Sequence, residues 1–164
     1  MSTTTTGNRE AQIEADPQLP TVRITRDFDA SPEKVFRAWT EPDLVARWLG
    51  PRSITTRIEH WDARTGGSYR YVAERDGEDI ASFYGSFHEV RPNERLVQTF
   101  TWEGMPDGVS LDTMTFEDLG DGRTRVVGLS VVDIMAARNA MMASGMDVGV
   151  QEGYQKLDEL LAGT

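Results

Sequence analysis

From Ser53 to Asp133 the chain carries one alternating stretch after another, joined by connections too short to contain a helix. Ile54, Ile58 and His60 alternate with Thr55, Arg57, Glu59 and Trp61. Tyr69 and Tyr71 alternate with Arg70 and Val72. Phe83 to Phe87 opens a further strand that ends at Pro92-Asn93. Leu96, Phe100 and Trp102 mark the next, Met114 and Phe116 another, and Arg125 to Val132 the last. Asp76-Gly77 and Asp121-Gly122 supply the positive backbone angles that two-residue hairpins need. Connections this short can join only antiparallel neighbours, because parallel strands need a crossover of a dozen residues or more. Val22, Ile24 and Phe28 add an earlier strand over Thr21 to Asp29, which makes seven.

Helices flank this run. Ser31-Pro32-Glu33 combines a capping hydroxyl, a first-turn proline and a first-turn acid. Thr40, with Asp43 three residues on, predicts a second cap, and Gly50-Pro51 ends that helix. Near the end of the chain Met142, Met146, Val150, Tyr154, Leu157 and Leu161 recur at helical spacing. Gly145, Gly149 and Gly153 lie on an adjacent row. Either this helix approaches the sheet closely, or the helix breaks near Gly145. Residues 1–20, rich in threonine and punctuated by Pro17 and Pro20, read as a flexible polar tail before one domain over residues 21–164.

Composition narrows the chemistry. In 164 residues, 27 acids against 17 Lys plus Arg give a formal charge of −10, which disfavours nucleic acid. There is no cysteine, so disulfides, thiolate nucleophiles and thiolate metal sites are absent. The two histidines lack metal-site spacing, and no metal or cofactor is expected. No apolar run reaches the ~18 residues of a membrane helix. No secretion signal is visible, and with the absence of cysteine this predicts the cytoplasm.

The order β-α-α-β6-α is that of an α+β helix-grip fold, a curved seven-stranded antiparallel sheet around a long C-terminal helix. The stretch Ser31-Pro32-Glu33-Lys34-Val35-Phe36-Arg37-Ala38-Trp39-Thr40-Glu41-Pro42 resembles the opening motif of the START-like (SRPBCC) superfamily, and Leu44 to Pro51 continues it. Asp62-Ala63-Arg64-Thr65-Gly66-Gly67 is similar to its Asp-x-Arg-x-Gly-Gly turn. Gly85 to Val90, Pro92 to Val97 and Gly153-Tyr154 are similar to later motifs. The branch resembled is the one named for homology to the activator of the Hsp90 ATPase. The resemblance implies the fold and an internal cavity, and no single reaction.

Seven methionines, four of them between Met135 and Met146, suit a wall that adapts to irregular shapes. The expected pocket lining is Trp48, Tyr69, Tyr71, Phe87, Trp102, Phe116, Met142, Met146 and Tyr154, around a small hydrophobic molecule. Four groups could move a proton. Glu89 and Asp112 do so if they face the cavity; His60 can share a strand face with Asp62, whereas His88 and Glu89 point opposite ways and cannot pair directly. Asp62, Arg64, Gly66 and Gly67 read as a structural turn, with the acid accepting backbone N–H bonds. Three functions stay open: a small-molecule binding protein, a cyclase- or hydratase-type enzyme, and a chaperone-associated factor. A homodimer is also left open.

Overall fold

The structure is a computed structural model that describes residues 10–163. Its elements are β1 (Gln12–Ala15), β2 (Thr21–Phe28), α1 (Pro32–Thr40), α2 (Pro42–Trp48), β3 (Thr55–Trp61), β4 (Ser68–Arg75), β5 (Glu78–Arg91), β6 (Arg95–Trp102), β7 (Ser110–Gly120), β8 (Arg123–Val131), α3 (Met135–Ala143) and α4 (Met146–Ala162). The strands form one curved antiparallel sheet in the order β1-β2-β8-β7-β6-β5-β4-β3. No helix among the described residues is long and apolar enough to cross a membrane.

The hairpin signals work as their chemistry requires. Asp76 and Gly77 take φ of 53° and 80°, Asp121 and Gly122 of 56° and 71°, the left-handed values of a type I′ turn. Ser31 caps α1, its hydroxyl accepting from the Lys34 amide at 3.4 Å. The second cap differs from expectation. Glu41, not Thr40, precedes α2 and makes no side-chain cap bond. The Thr40 hydroxyl instead donates to the Phe36 carbonyl at 3.0 Å, the back-bond a threonine makes within its own helix.

The sheet has eight strands rather than seven, and the difference lies in the N-terminal segment. Residues 12–15, expected in the flexible tail, pair with β2 from Gln12↔Thr25 to Ala15↔Val22. Four residues are too few for alternation to be legible, but their neighbours hold them. The Gln151 side chain accepts from the Ala11 amide at 2.8 Å and donates to its carbonyl at 2.9 Å. Ala11 is buried and Ile13 packs on the core. Residues 1–9 of the expected tail lie outside the described residues.

The C-terminal segment breaks where the glycine row begins. Gly145 has φ of 85° and separates α3 from α4. The buried residue of α3 is Arg138, whose Nη1 donates to the carbonyls of Asp16, Leu19 and Thr21 at 2.8, 3.2 and 2.9 Å. Close approach also occurs, at Gly153: a Cβ there would lie 3.1 Å from the Trp48 carbonyl.

The core sits between α1, α2, α4 and the concave face. Phe28, Trp39, Trp48, Phe116 and Tyr154 form a continuous aromatic cluster with ring centroids 4.7–6.0 Å apart. Leu157 and Leu160 close it from α4.

Candidate functional site

The ladder registers bring a second, less sealed set of side chains together on the concave face. Tyr71 lies opposite Phe83, and Tyr69 opposite Gly85. Gln98 lies opposite Asp112, which lies opposite Ser130. Met114 and Ile24 both lie opposite Gly128. A Cβ on Gly128 would stand 2.9 Å from the Met114 sulfur, so the glycine makes room for that side chain. Tyr71, Phe83 and Phe100 stack at 5.1 and 5.2 Å.

Exposure separates this region from the aromatic cluster. Ile24, Ile58, Phe83, Phe100 and Met114 face the concave side yet are only half-buried. They form a half-buried apolar strip on the concave face, packed along the core. Two clefts are polar surface features. One of about 470 Å³ runs past Gln12, Thr25, Asp27, Arg123 and Arg125, and one of about 220 Å³ lies among Arg47, Arg52, Lys156 and Glu159. Ion pairs such as Arg125–Asp27 at 2.8 Å cross the larger one, which therefore lacks the apolar walls a small hydrophobic molecule needs.

The nine expected lining residues divide. Tyr69, Tyr71 and Phe87 are buried on the concave side near this strip. Trp48, Phe116 and Tyr154 are packed into the aromatic cluster and leave little surface for a ligand. Met146 is half-buried. Trp102 (47% exposed) and Met142 (36% exposed) stand at the surface. Trp102 ends its strand, and its ring covers Gly104. Met142 lies on α3, which the break at Gly145 releases from the line of α4. Ile24, Phe83, Phe100 and Gln98 were missed. The signal that could have found them is their register opposite Gly128, Tyr71, Ser110 and Asp112 respectively.

Of the four proton-transfer candidates, Asp112 alone lies on the concave face. The β5–β6 register shifts between Phe87 and Glu89 and turns Glu89 outward, opposite Val97. There it pairs with Arg91 at 2.9 Å and Arg95 at 3.3 Å. His60 is exposed, with Nε2 2.9 Å from the Ser68 hydroxyl, and His88 is exposed. At the Asp62 turn, Gly66 has φ of 87°, and a Cβ on Gly67 would meet the Asp62 carbonyl at 1.9 Å. The Asp62 carboxylate binds the Arg64 guanidinium at 2.8 Å rather than backbone amides. Among the described residues, no three His, Asp or Glu side chains are grouped to hold a metal ion.

Asp112 is surrounded by protein and yet keeps accessible surface, as expected of a group lining a recess. Burial holds its carboxyl above the ordinary value, while the hydroxyls of Ser110, at 2.6 Å, and Ser130 pull it down. Burial also raises the Tyr69 and Tyr71 phenols, and the Asp112 charge adds to both. The Tyr69 hydroxyl donates to the Thr99 carbonyl at 2.6 Å. An acid whose folded value exceeds its unfolded one stabilises the fold when protonated. It loses that contribution as pH rises from the unfolded value through the folded one. Asp112→Asn should therefore unfold at a higher temperature than the parent protein near neutral pH. The gain should fade below about pH 4, where the unfolded acid also takes its proton. Each 1 kcal/mol moves the midpoint of a domain this size by about 2–4 °C, so thermal melts at the two pH values check the effect.

A sequence profile of the family described as Activator of Hsp90 ATPase homolog 1-like protein matches residues 29–162. The fold is similar to that of a Rhodobacter sphaeroides protein solved by crystallography, with TM-score 0.85 and 26% identity over 94% of this chain and 100% of that one. It is similar to a solution structure of an Arthrobacter aurescens protein, with TM-score 0.84 and 24% identity over 93% and 92%. A Chromobacterium violaceum protein matches with TM-score 0.73 and 28% identity over 87% and 96%. No curated protein matches the chain.

Proposed function

The chain belongs to the Activator of Hsp90 ATPase homolog 1-like protein family, and from that premise we propose that it binds a small apolar or aromatic molecule in a groove between the concave face of the sheet and the α3–α4 arm. One observation carries this reading. Ile24, Ile58, Phe83, Phe100 and Met114 face the interior side of the sheet, where a finished core would bury them, and they remain half-buried. Apolar surface left accessible inside a concave wall is what an apolar ligand covers. A cytoplasmic setting belongs to the same proposal and rests on the absence of cysteine.

Native mass spectrometry of freshly purified protein should show a co-purifying small molecule. A thermal-shift screen of fatty acids, flavonoids and polyketide-like aromatics should find stabilising members. A ligand at one hundred times its dissociation constant adds about 2.7 kcal/mol. Ile24→Trp, which fills the groove from β2, should remove the shift. Spectra free of bound molecules together with a flat screen would overturn the reading.

A second reading has one observation in its favour. Asp112, deep and with a raised proton affinity, is suited to moving a proton on a bound molecule. Turnover of a bound ligand that Asp112→Asn abolishes without weakening its binding would establish an enzyme.

A further inference from the structure

Among the described residues, nothing positively charged pairs with the Asp112 carboxylate. The groups among them that bond to it are the Ser110 and Ser130 hydroxyls. Two hydroxyl donors reduce the cost of burying a carboxylate and leave its charge uncompensated. A second group beside it is also incomplete. Tyr71 is 9% exposed, and its phenol makes no hydrogen bond among the described residues. It stands close enough to Asp112 to feel that charge. Its oxygen is not sealed from outside, so a ligand or a water can complete it. Phe83 and Phe100, stacked against each other, and Ile24 and Met114 are half-buried apolar side chains on the same concave face.

We propose that the groove takes an organic ammonium ion, with its cationic nitrogen against Asp112 and the Tyr71 phenol oxygen and its apolar or aromatic body against Phe100 and Met114. The proposal rests on the groove-binding reading above and names the ligand class for it. An ammonium group carries donors only, and the floor of the groove presents acceptors. Its bond to a carboxylate is charge-assisted and supplies the missing counter-charge. A ligand ending in a carboxylate would set two like charges together in an apolar site. The formal charge of −10 draws cations toward the protein in the same sense.

Three probes share one body: phenethylamine, phenethyl alcohol and hydrocinnamate. Calorimetric titration of the full chain near neutral pH should show the amine binding about tenfold or more tightly than the alcohol, and hydrocinnamate not binding. Asp112→Asn should bring the amine close to the alcohol, with circular dichroism confirming the fold. An amine preference in the parent protein that Asp112→Asn leaves intact would overturn the assignment. So would equal binding of amine and alcohol, an outcome that leaves the groove-binding reading standing. If none of the three binds, the ammonium assignment falls. Mass spectra of the untreated protein then decide the groove-binding reading separately.

Discussion

Adding a single methyl group at Gly85 should destabilise the protein by more than about 3 kcal/mol, the upper range for forcing volume into a packed site. A Cβ there would lie 2.0 Å from the Thr99 carbonyl oxygen, 2.6 Å from the Tyr69 hydroxyl and 2.7 Å from its ring. The first neighbour is backbone of the adjoining strand, which cannot swing aside as a side chain can. The missing side chain is what lets Tyr69 lie across β5 and donate to Thr99, while the Ser86 amide turns to the Thr99 hydroxyl at 2.8 Å. Gly85→Ala therefore strains the strand where it carries the groove floor. Urea unfolding checks the loss, and a variant within 1 kcal/mol of the parent would show that the strand can bend elsewhere. Tyr69→Ala in the same background should not restore stability, because the carbonyl clash remains.

Asp158→Ala should cost about 3 kcal/mol, the lower end of the range for breaking a buried ion pair. Asp158 on α4 holds both terminal nitrogens of Arg26 on β2, with Nη1 at 2.6 Å. The Arg26 side chain is 2% exposed and stands 4.7 Å over the Phe28 ring. Asp158 is 38% exposed, so solvent reaches one end of the pair and the cost stays toward the lower limit. Replacing both, with Arg26→Met and Asp158→Leu, should recover most of the loss, since an apolar pair avoids the desolvation that the ions incur. Chemical denaturation of the parent and the two variants measures the difference. A double variant no more stable than Asp158→Ala would show that the charges themselves fix how α4 sits on the sheet.

The succession of strands and helices along the chain was legible because local chemistry dictates it. Asp-Gly pairs turn the chain wherever they fall, and Ser31-Pro32-Glu33 starts a helix whatever lies around it. The eighth strand was not legible. Gln12 to Ala15 has weak alternation of its own and is held by Gln151, a residue about 140 positions away. The site was harder for the same reason. Asp112 could be singled out as a carboxylate on a strand, but whether it faces the concave side depends on the register of three strands. Glu89 shows the opposite case. Its inward orientation follows from simple alternation with Phe87, and one extra residue between them reverses it. Trp102 enters the expected lining on side-chain type and Met142 on type and its place in the helical stripe, and neither signal reveals a strand end or a broken helix.

The pairing of β2 with β8 has a consequence for how the molecule is made. Thr21 meets Val131 and Phe28 meets Thr124, so the first long strand waits for the last. Contacts of such long sequence separation are slow to form, because the intervening chain must be closed before they contribute. During synthesis β2 leaves the ribosome with its apolar face and its hydrogen-bonding edge both open, about 100 residues before its partner arrives. Arg138 and Gln151 come later still and fasten the segment before β2. A nascent chain of this protein therefore completes its sheet only once β8 has been made, and β2 is the part most in need of shelter until then.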